Sequence, residues 1–160
     1  MERSGAAAAG TVVLGLGNRL LGDDAAGPLV IDRLARAPAT SATLLDGGTV
    51  GLALLPAIED AKALVAVDAA RFGAPTGTVQ VFEGGAMDAL LAGRRCSAHE
   101  VALADLVGAA ALTGRLPERR ALVAVEPAQT DLGTGPSAAV AGALPVMCAA
   151  VERLLQRWAA

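Results

Sequence analysis

The chain has few of the residues on which several classes of protein depend. It contains one Trp, two Phe and no Tyr, and only two of its 160 residues are cysteines. Two cysteines cannot build the disulfide framework of a small secreted domain. The net charge is −3 and no basic cluster is present, which argues against nucleic acid or an anionic membrane as a partner. We therefore expect a cytoplasmic protein that binds neither.

Long hydrophobic runs are also lacking. The longest, residues 138–151, has 14 residues and contains Pro145, whereas a membrane helix needs about 20. Residues 5–17 are apolar, but a single Arg precedes them and they lead into a glycine turn, which disfavours a secretory signal. A length of 160 residues, 54% of them hydrophobic, predicts one domain over residues 1–160. We expect residues 1–10 to be frayed and the protein to be a monomer.

Five apolar segments predict strands, at residues 12–16, 43–46, 64–68, 79–82 and 122–126. Helical patterns lie between them at about 27–37, 50–61, 98–113 and 137–158. The alternation predicts a three-layer α/β/α sandwich around a mostly parallel five-stranded sheet. Only residues 69–78 separate the third and fourth strands, which is too short for a crossover helix. The fourth strand is therefore predicted to be antiparallel, and the sheet mixed.

The segment LGLGNRLLGDDAAG, residues 14–27, carries the most informative pattern. Gly15 and Gly17 permit a sharp turn after the first strand, and an apolar helical stripe follows. A strand–turn–helix opening normally presents backbone N–H groups to an anion. Here two carboxylates, Asp23 and Asp24, occupy that place, and Leu20 replaces the third glycine of a dinucleotide fingerprint. The pattern therefore favours a cation over a nucleotide.

Acids also end three further strands, at Asp46, Asp68 and Glu126. Ligands of open α/β sheets bind beyond the carboxyl ends of the strands, where the strand order switches. Asp24, Asp68 and Asp46 are therefore predicted at one edge of the sheet. Since none of the strand-end acids has Lys or Arg directly beside it, the acids there could bind a cation, although each could instead cap a helix or solvate a strand end. Asp46 is the weakest member, because the GGT that follows it favours a role in a tight turn. Asp68 ends a wholly apolar strand, which favours a role in the site.

The only histidine is His99. Ser97 and Glu100 form a capping box that places His99 in the first turn of a helix, where the helix dipole disfavours imidazolium. A neutral imidazole is the form that binds metal. A lone histidine is more often a packed or capping residue, so the spacing leaves both roles open. Two carboxylates and one imidazole would suit zinc, iron or nickel.

A thiol mechanism is a weaker alternative. Cys96 lies three residues before His99, but it falls outside the helix cap and nothing fixes the relative direction of the two side chains. The chain also lacks the G-x-S-x-G elbow of a serine hydrolase. The pattern therefore favours a buried or incidental thiol.

Five segments together resemble the maturation endopeptidases of [NiFe] hydrogenases. They are GLGNRLLGDDAAG (15–27), LLDGGTVG (44–51), LVAVDAA (64–70), SAHEVALADLV (97–107) and LVAVEP (122–127). They span nearly the whole chain in the order and spacing of that family. Two departures are Ala25, where many members have glycine, and Glu126, where relatives are often not acidic.

The resemblance implies a specific activity. Enzymes of this family remove a short C-terminal extension from the hydrogenase large-subunit precursor after nickel has been inserted. Their metal-binding positions match Asp24, Asp68 and His99, which are thus the implied metal-binding and catalytic residues. The implied nickel is carried by the substrate and not stored by the protease. Asp23 and the turn at 47–49 would then shape the cleft.

Two other functions remain open from the sequence. A non-catalytic chaperone could read nickel through the same three residues without cutting the precursor. A small-molecule metallohydrolase could use them to hold a permanent metal of its own.

Overall fold

The computed structural model describes residues 10–37, 41–48, 51–93, 98–133 and 135–159, and at residues 51 and 98–102 it describes the backbone alone. The predicted fraying of residues 1–10, Gly10 excepted, lies outside the described residues. So do the predicted cap residue Ser97, Cys96 and Thr49 of the GGT turn.

All five predicted strands are present, with ends shifted by at most three residues. The strands are β1 (Thr11–Leu16), β2 (Thr43–Gly48), β3 (Ala63–Ala69), β4 (Val79–Glu83) and β5 (Arg119–Val125). The helices are α1 (Ala26–Arg36), α2 (Leu55–Asp60), α3 (Gly85–Gly93), α4 (Ala98–Leu112) and α5 (Ala138–Ala159). Short 3₁₀ turns at Gly22–Ala25 and Gly51–Leu54 precede α1 and α2. Helix α3 was missed from the sequence, because a short, mostly apolar segment bounded by glycines shows no helical stripe.

The strands form one five-stranded sheet in the order β2-β1-β3-β5-β4. β1 is parallel to β2 and β3, and β3 is parallel to β5, whereas β4 is antiparallel to β5. The predicted mixed α/β fold with an antiparallel fourth strand is therefore confirmed. No helix lies between β3 and β4, since the connecting residues 70–78 form a turn that returns directly to the sheet edge.

Alternation along the strands divides the core between the two faces of the sheet. Val13, Val65 and Val123 belong to the core under α1 and α5. Leu14, Leu64 and other even-numbered positions pack on the opposite face against α2, α3 and α4. Because successive strand residues point to opposite faces, a continuous apolar run serves both helical layers at once.

The strand order switches direction between β1 and β3. The chain passes from β1 outward to β2 and then returns across β1 to β3, so the connections after β1 and β2 leave on opposite sides. Such a switch opens a crevice at the carboxyl ends of the two central strands. The segment after β1 and the end of β3 therefore meet at the place where α/β folds bind ligands.

Helix α5 corrects the expectation that no segment has the length and composition of a membrane span. It has 22 residues and a mean hydropathy of 1.6 in its most apolar window, which is enough by length and composition alone. Its buried positions, including Val140, Met147 and Val151, instead pack into the core beside α1. This is the arrangement of a core helix covering a sheet.

Close backbone approach at Gly27 fixes α1 against the sheet. A Cβ at this position would lie 2.2 Å from the carbonyl oxygen of Leu16 and 2.5 Å from that of Val67. Both atoms belong to central strands that cannot move independently of the sheet. The first turn of α1 is therefore held directly over the ends of β1 and β3.

We predict that Gly27→Ala lowers the free energy of unfolding by about 3 kcal/mol or more, because the added methyl overlaps two backbone oxygens. Gly142→Ala, in α5, is the matched control, since an added Cβ there meets nothing within 4 Å. It should raise stability by up to about 1 kcal/mol through helix propensity. Urea unfolding of both variants measures the difference, and equal stabilities would contradict the contact.

Candidate active site

The turn after β1 is built around the Asp24 carboxylate. The backbone N–H of Asn18 donates a hydrogen bond of 2.9 Å to Asp24 Oδ2. Gly17 has φ +130°, and a Cβ there would lie 1.9 Å from the carbonyl oxygen of Asp24. Only glycine permits this conformation and this approach. The turn therefore holds Asp24, which is buried, at the carboxyl end of β1.

Asp68 reaches the same edge from the neighbouring strand. Gly15 of β1 pairs with Val67 of β3, so Asp68 lies one residue further along, beside the start of the turn. Its side chain is only 2% exposed. Since Gly27 contacts both strand ends, the segment that carries Asp24 closes directly over β3. The predicted juxtaposition of Asp24 and Asp68 at one sheet edge is confirmed.

Asp46 lies at this edge as predicted, and its contacts confirm the tight-turn role that the sequence favoured over a role in cation binding. It pairs with Gly15 in the sheet, and its Oδ1 accepts the N–H of Gly48 at 3.0 Å. Its Oδ2 accepts two hydrogen bonds from the Arg19 guanidinium, at 3.1 and 2.7 Å. Arg19 also binds Asp32 of α1 through two nitrogens, at 2.6 and 2.9 Å. Asp46 is therefore a turn and ion-pair residue.

The Arg19 contacts join three parts of the fold. Hydrogen bonding to Asp32 and Asp46 raises the pKa of the guanidinium, and hydrogen bonding to Arg19 lowers the pKa of Asp32. These side chains are partly exposed, so each pair contributes little to stability alone. Their effect is local: the turn after β1 is tied to both β2 and α1. No Lys or Arg stands beside the strand-end acids in sequence, but Arg19, distant from Asp46 in sequence, reaches it through the fold.

Asp23, the neighbour of Asp24, has its carboxylate fully hydrogen-bonded to the loop after β5 and the start of α5. Its side chain is fully buried, and its carboxylate accepts four hydrogen bonds. The donors are the N–H groups of Ala128 (2.7 Å), Gln129 (3.1 Å) and Ser137 (2.6 Å), and the hydroxyl of Ser137 (3.0 Å). The N–H of Asp23 in turn donates to the carbonyl oxygen of Gln129 at 2.8 Å. Asp23 therefore joins the loop after β5 to the turn after β1.

The same carboxylate lies at the start of α5. The Ser137 hydroxyl accepts the N–H of Val140 at 3.4 Å, which caps the helix, while it donates to Asp23. Burial alone would raise the pKa of Asp23, but the hydrogen bonds from Ser137, Gln129 and Ala128 outweigh it and lower the pKa. The predicted cleft-shaping role of Asp23 agrees with these contacts.

Glu126, for which the resemblance implied no role, also has a structural role. Its side chain is 7% exposed, and its Oε2 accepts the N–H of Phe72 at 2.7 Å. Its backbone N–H donates to Thr78. The carboxylate thus holds the loop between β3 and β4.

The third predicted ligand is only partly described. α4 begins at Ala98, so the backbone of His99 lies in the first helical turn as predicted, but its side chain lies outside the described structure. α4 packs against the Gly51–Leu54 turn that follows β2. Among the side chains that the structure does describe, no three His, Cys, Asp or Glu residues form a metal-holding group.

Sequence reasoning missed two features of this edge. The basic residue Arg19 lay inside the most informative segment, and the pattern G-N-R before the acids was the available signal. The return of residues 128–137 to Asp23 had no local signal, because its partners are separated by 105 to 114 positions. Only the tertiary fold brings these groups together.

We predict that Asp23→Asn lowers the free energy of unfolding at neutral pH by about 3 kcal/mol or more, because an amide cannot accept all four hydrogen bonds. Asp60→Asn is the control, since Asp60 is exposed and contacts Arg115 only at 3.8 Å. That control should change stability by less than about 1 kcal/mol. Urea unfolding at pH 7 compares the two.

The lowered pKa of Asp23 also predicts acid sensitivity. Its contribution is complete above the unfolded-state pKa of about 3.9 and is lost as pH falls through the lower folded-state pKa. The unfolding free energy of the wild type should therefore drop below about pH 4 more steeply than that of Asp23→Asn. Parallel pH profiles of the two proteins would contradict the linkage.

Known proteins share this fold and this sequence. A family model described as hydrogenase maturation protease (HycI) matches residues 28–154. The hydrogenase expression/formation protein HupD of Rhodobacter capsulatus is 36% identical over 150 residues, covering 92% of this chain and 71% of the relative. The hydrogenase 2 maturation protease of Escherichia coli is 34% identical over 120 residues, covering 72% of each chain.

Solved structures agree. The hydrogenase maturating endopeptidase HybD from E. coli superposes with a TM-score of 0.85 at 29% identity, covering 92% of both chains. The [NiFe] hydrogenase maturation protease HybD from Thermococcus kodakarensis gives a TM-score of 0.77 at 26% identity, covering 91% of this chain and 98% of that one. With its sheet order, its acid-bearing turn and a family match over most of its length, the chain belongs to the hydrogenase maturation protease family.

Proposed function

We propose that this chain is an endopeptidase that removes the C-terminal extension of the [NiFe] hydrogenase large-subunit precursor after nickel insertion. The observation that carries the proposal is the placement of two buried acids, Asp24 and Asp68, at the same edge of the sheet, at its switch point. Relatives named as maturation protease and maturating endopeptidase support the reaction class. The precursor is the proposed partner, the cytoplasm the proposed compartment and the monomer the proposed state.

Nickel in this proposal is part of the substrate. Asp24, Asp68 and His99 would contact the metal while the precursor's thiolates hold it, because thiolates are the stronger ligands of a soft site and carboxylates the weaker. Three side chains leave coordination positions open for water and substrate, as catalytic sites require. The protease would therefore test whether the metal is present without storing it.

Placement of His99 at the start of α4 supports its part in this set. The positive end of the helix dipole disfavours imidazolium, which keeps the side chain in the form that can bind a metal. α4 packs on the 3₁₀ turn that follows the carboxyl end of β2, and Asp24 and Asp68 lie at the carboxyl ends of the neighbouring strands β1 and β3.

The proposed chemistry is metal-assisted hydrolysis of one peptide bond. A cation near the scissile bond can polarise its carbonyl and lower the pKa of a nearby water. The water oxygen bonds to the carbonyl carbon, the C–N bond breaks, and a proton from the same water passes to the leaving nitrogen. Asp23 takes no part in this step, because its carboxylate is saturated by four hydrogen bonds within the fold.

We predict that the purified protein cleaves nickel-loaded precursor and leaves nickel-free precursor intact. Asp24→Asn, Asp68→Asn and His99→Ala should each slow cleavage by at least about a hundredfold. Each substitution removes a ligand of the metal that stabilises the charge of the transition state, and a loss of about 2.7 kcal/mol of that stabilisation lowers the rate a hundredfold. Asp60→Asn, an exposed acid remote from the site, should cleave at the wild-type rate. Mass spectrometry of the precursor C-terminus measures the extent of cleavage by the wild type and by each of the four variants.

Three outcomes would redirect the proposal. Equal cleavage of loaded and nickel-free precursor would remove nickel recognition. Tight binding of loaded precursor without any cleavage would favour a nickel-reading chaperone. Stoichiometric metal in the purified protein would favour a metallohydrolase with its own metal.

A further inference from the structure

We propose that Asn18 is a catalytic residue whose side-chain amide donates hydrogen bonds to the carbonyl oxygen of the scissile peptide. This inference rests on the proposed peptidase function and adds a residue to it. Asn18 lies in the turn that binds Asp24, since its own backbone N–H donates to the Asp24 carboxylate at 2.9 Å. Asn18 therefore lies beside one of the acids to which the substrate metal is proposed to bind.

The orientation of the Asn18 amide follows from one hydrogen bond. Its Oδ1 accepts the N–H of Leu20 at 2.9 Å. Because the amide nitrogen cannot accept a hydrogen bond from an N–H, this contact assigns the oxygen toward Leu20 and the nitrogen away from it. Within the part of the chain that the structure describes, no hydrogen bond is made by Nδ2. Two N–H donors are thus held in a fixed direction.

A cavity of about 240 Å³ adjoins Asn18. It is open to solvent and is lined by Asn18, Gly17, Arg19, Asp46 and Gly48. Its walls come from the turn after β1 and from the end of β2, so it lies at the edge of the sheet that carries the two buried acids. The space is sufficient for a short peptide segment to place one carbonyl against Nδ2.

Several other donors of this turn are already engaged. The backbone N–H of Gly17 donates to Gly48 O at 3.2 Å, and that of Leu21 donates to Asn18 O at 3.1 Å. The N–H groups of Asn18 and Leu20 are bound as described above. The guanidinium of Arg19 is held by Asp32 and Asp46. The Asn18 amide is therefore a donor that the fold has positioned and not used.

A neutral donor suits a site that must also admit a cation. A nearby lysine or unpaired arginine would repel nickel, whereas an amide offers N–H groups without net charge. When water adds to the scissile carbonyl carbon, an electron pair moves onto the carbonyl oxygen. Asn18 would stabilise that developing charge until the C–N bond breaks and the nitrogen is protonated. Donors fixed in advance make the largest contribution of this kind.

Two substitutions separate this role from a purely structural one. Asn18→Asp keeps the acceptor for Leu20 N–H but removes both amide donors, and Asn18→Ala removes acceptor and donors together. We predict that both lower the single-turnover cleavage rate by about 10² to 10³, the usual loss for one oxyanion donor. The precursor concentration at half-saturation should change by less than about threefold, because the donor acts mainly in the transition state.

Gln156→Glu is the matched control for the change from amide to acid. It lies on the exposed face of α5, next to a separate groove formed with β4, and should cleave at the wild-type rate. Thermal unfolding of each variant checks that the turn is intact.

The two substitutions distinguish a catalytic from a purely structural role of Asn18. If Asn18→Asp cleaves at the wild-type rate and only Asn18→Ala is slower, the side chain merely stabilises the turn through Oδ1, and the inference is overturned. Wild-type rates in both would overturn it as well. If the wild-type protein itself fails to cleave loaded precursor, the proposed function fails first and this inference with it.

Discussion

The arrangement of the site depends on one buried carboxylate, that of Asp23. Four hydrogen bonds from Ala128, Gln129 and Ser137 compensate the cost of its burial and fix the loop after β5 against the turn after β1. The same contact lies at the first turn of α5, where the helix dipole favours a negative charge. The Leu21–Leu132 bridge and the hydrogen bond from Gly133 N–H to Leu20 O join the same two segments, so Asp23 is the buried centre of a wider contact.

Environment assigns different roles to acids at the same sheet edge. Asp23 is saturated by backbone donors, and Asp46 is paired with Arg19. Asp24 and Asp68 are buried at the ends of the two central strands, where the strand order switches. The negative charges of Asp23 and Asp46 are therefore already balanced by partners within the fold, and Asp24 and Asp68 are the carboxylates of this edge proposed to bind a cation. Arg19 removes the charge of Asp46 from this balance while it binds the turn to β2 and α1.

Glycines make this geometry possible. Gly17 adopts a φ that other residues rarely tolerate, and Gly27 lets α1 approach the carbonyl oxygens of both central strands. The close approach brings Asp24 over the end of β3 and leaves Asn18 beside an open cavity. One member of the proposed metal-recognition set, Asp24, and the residue proposed to stabilise the scissile carbonyl, Asn18, thus lie in the same turn.

Five strands, four of the five described helices, the antiparallel direction of β4 and the placement of Asp24 and Asp68 at one sheet edge could all be predicted from the amino-acid sequence. These features follow from local periodicity, loop length and the geometry of parallel sheets. Helix α3 was missed because a short apolar segment has no distinguishing period. The pairing of Arg19 with Asp46 and the hydrogen bonds that join Asp23 to residues 128–137 became visible in the folded chain alone. Those contacts join residues that are far apart in the chain. Which residues become hydrogen-bond partners over such distances depends on how the helices and strands pack, and no local sequence pattern encodes that packing.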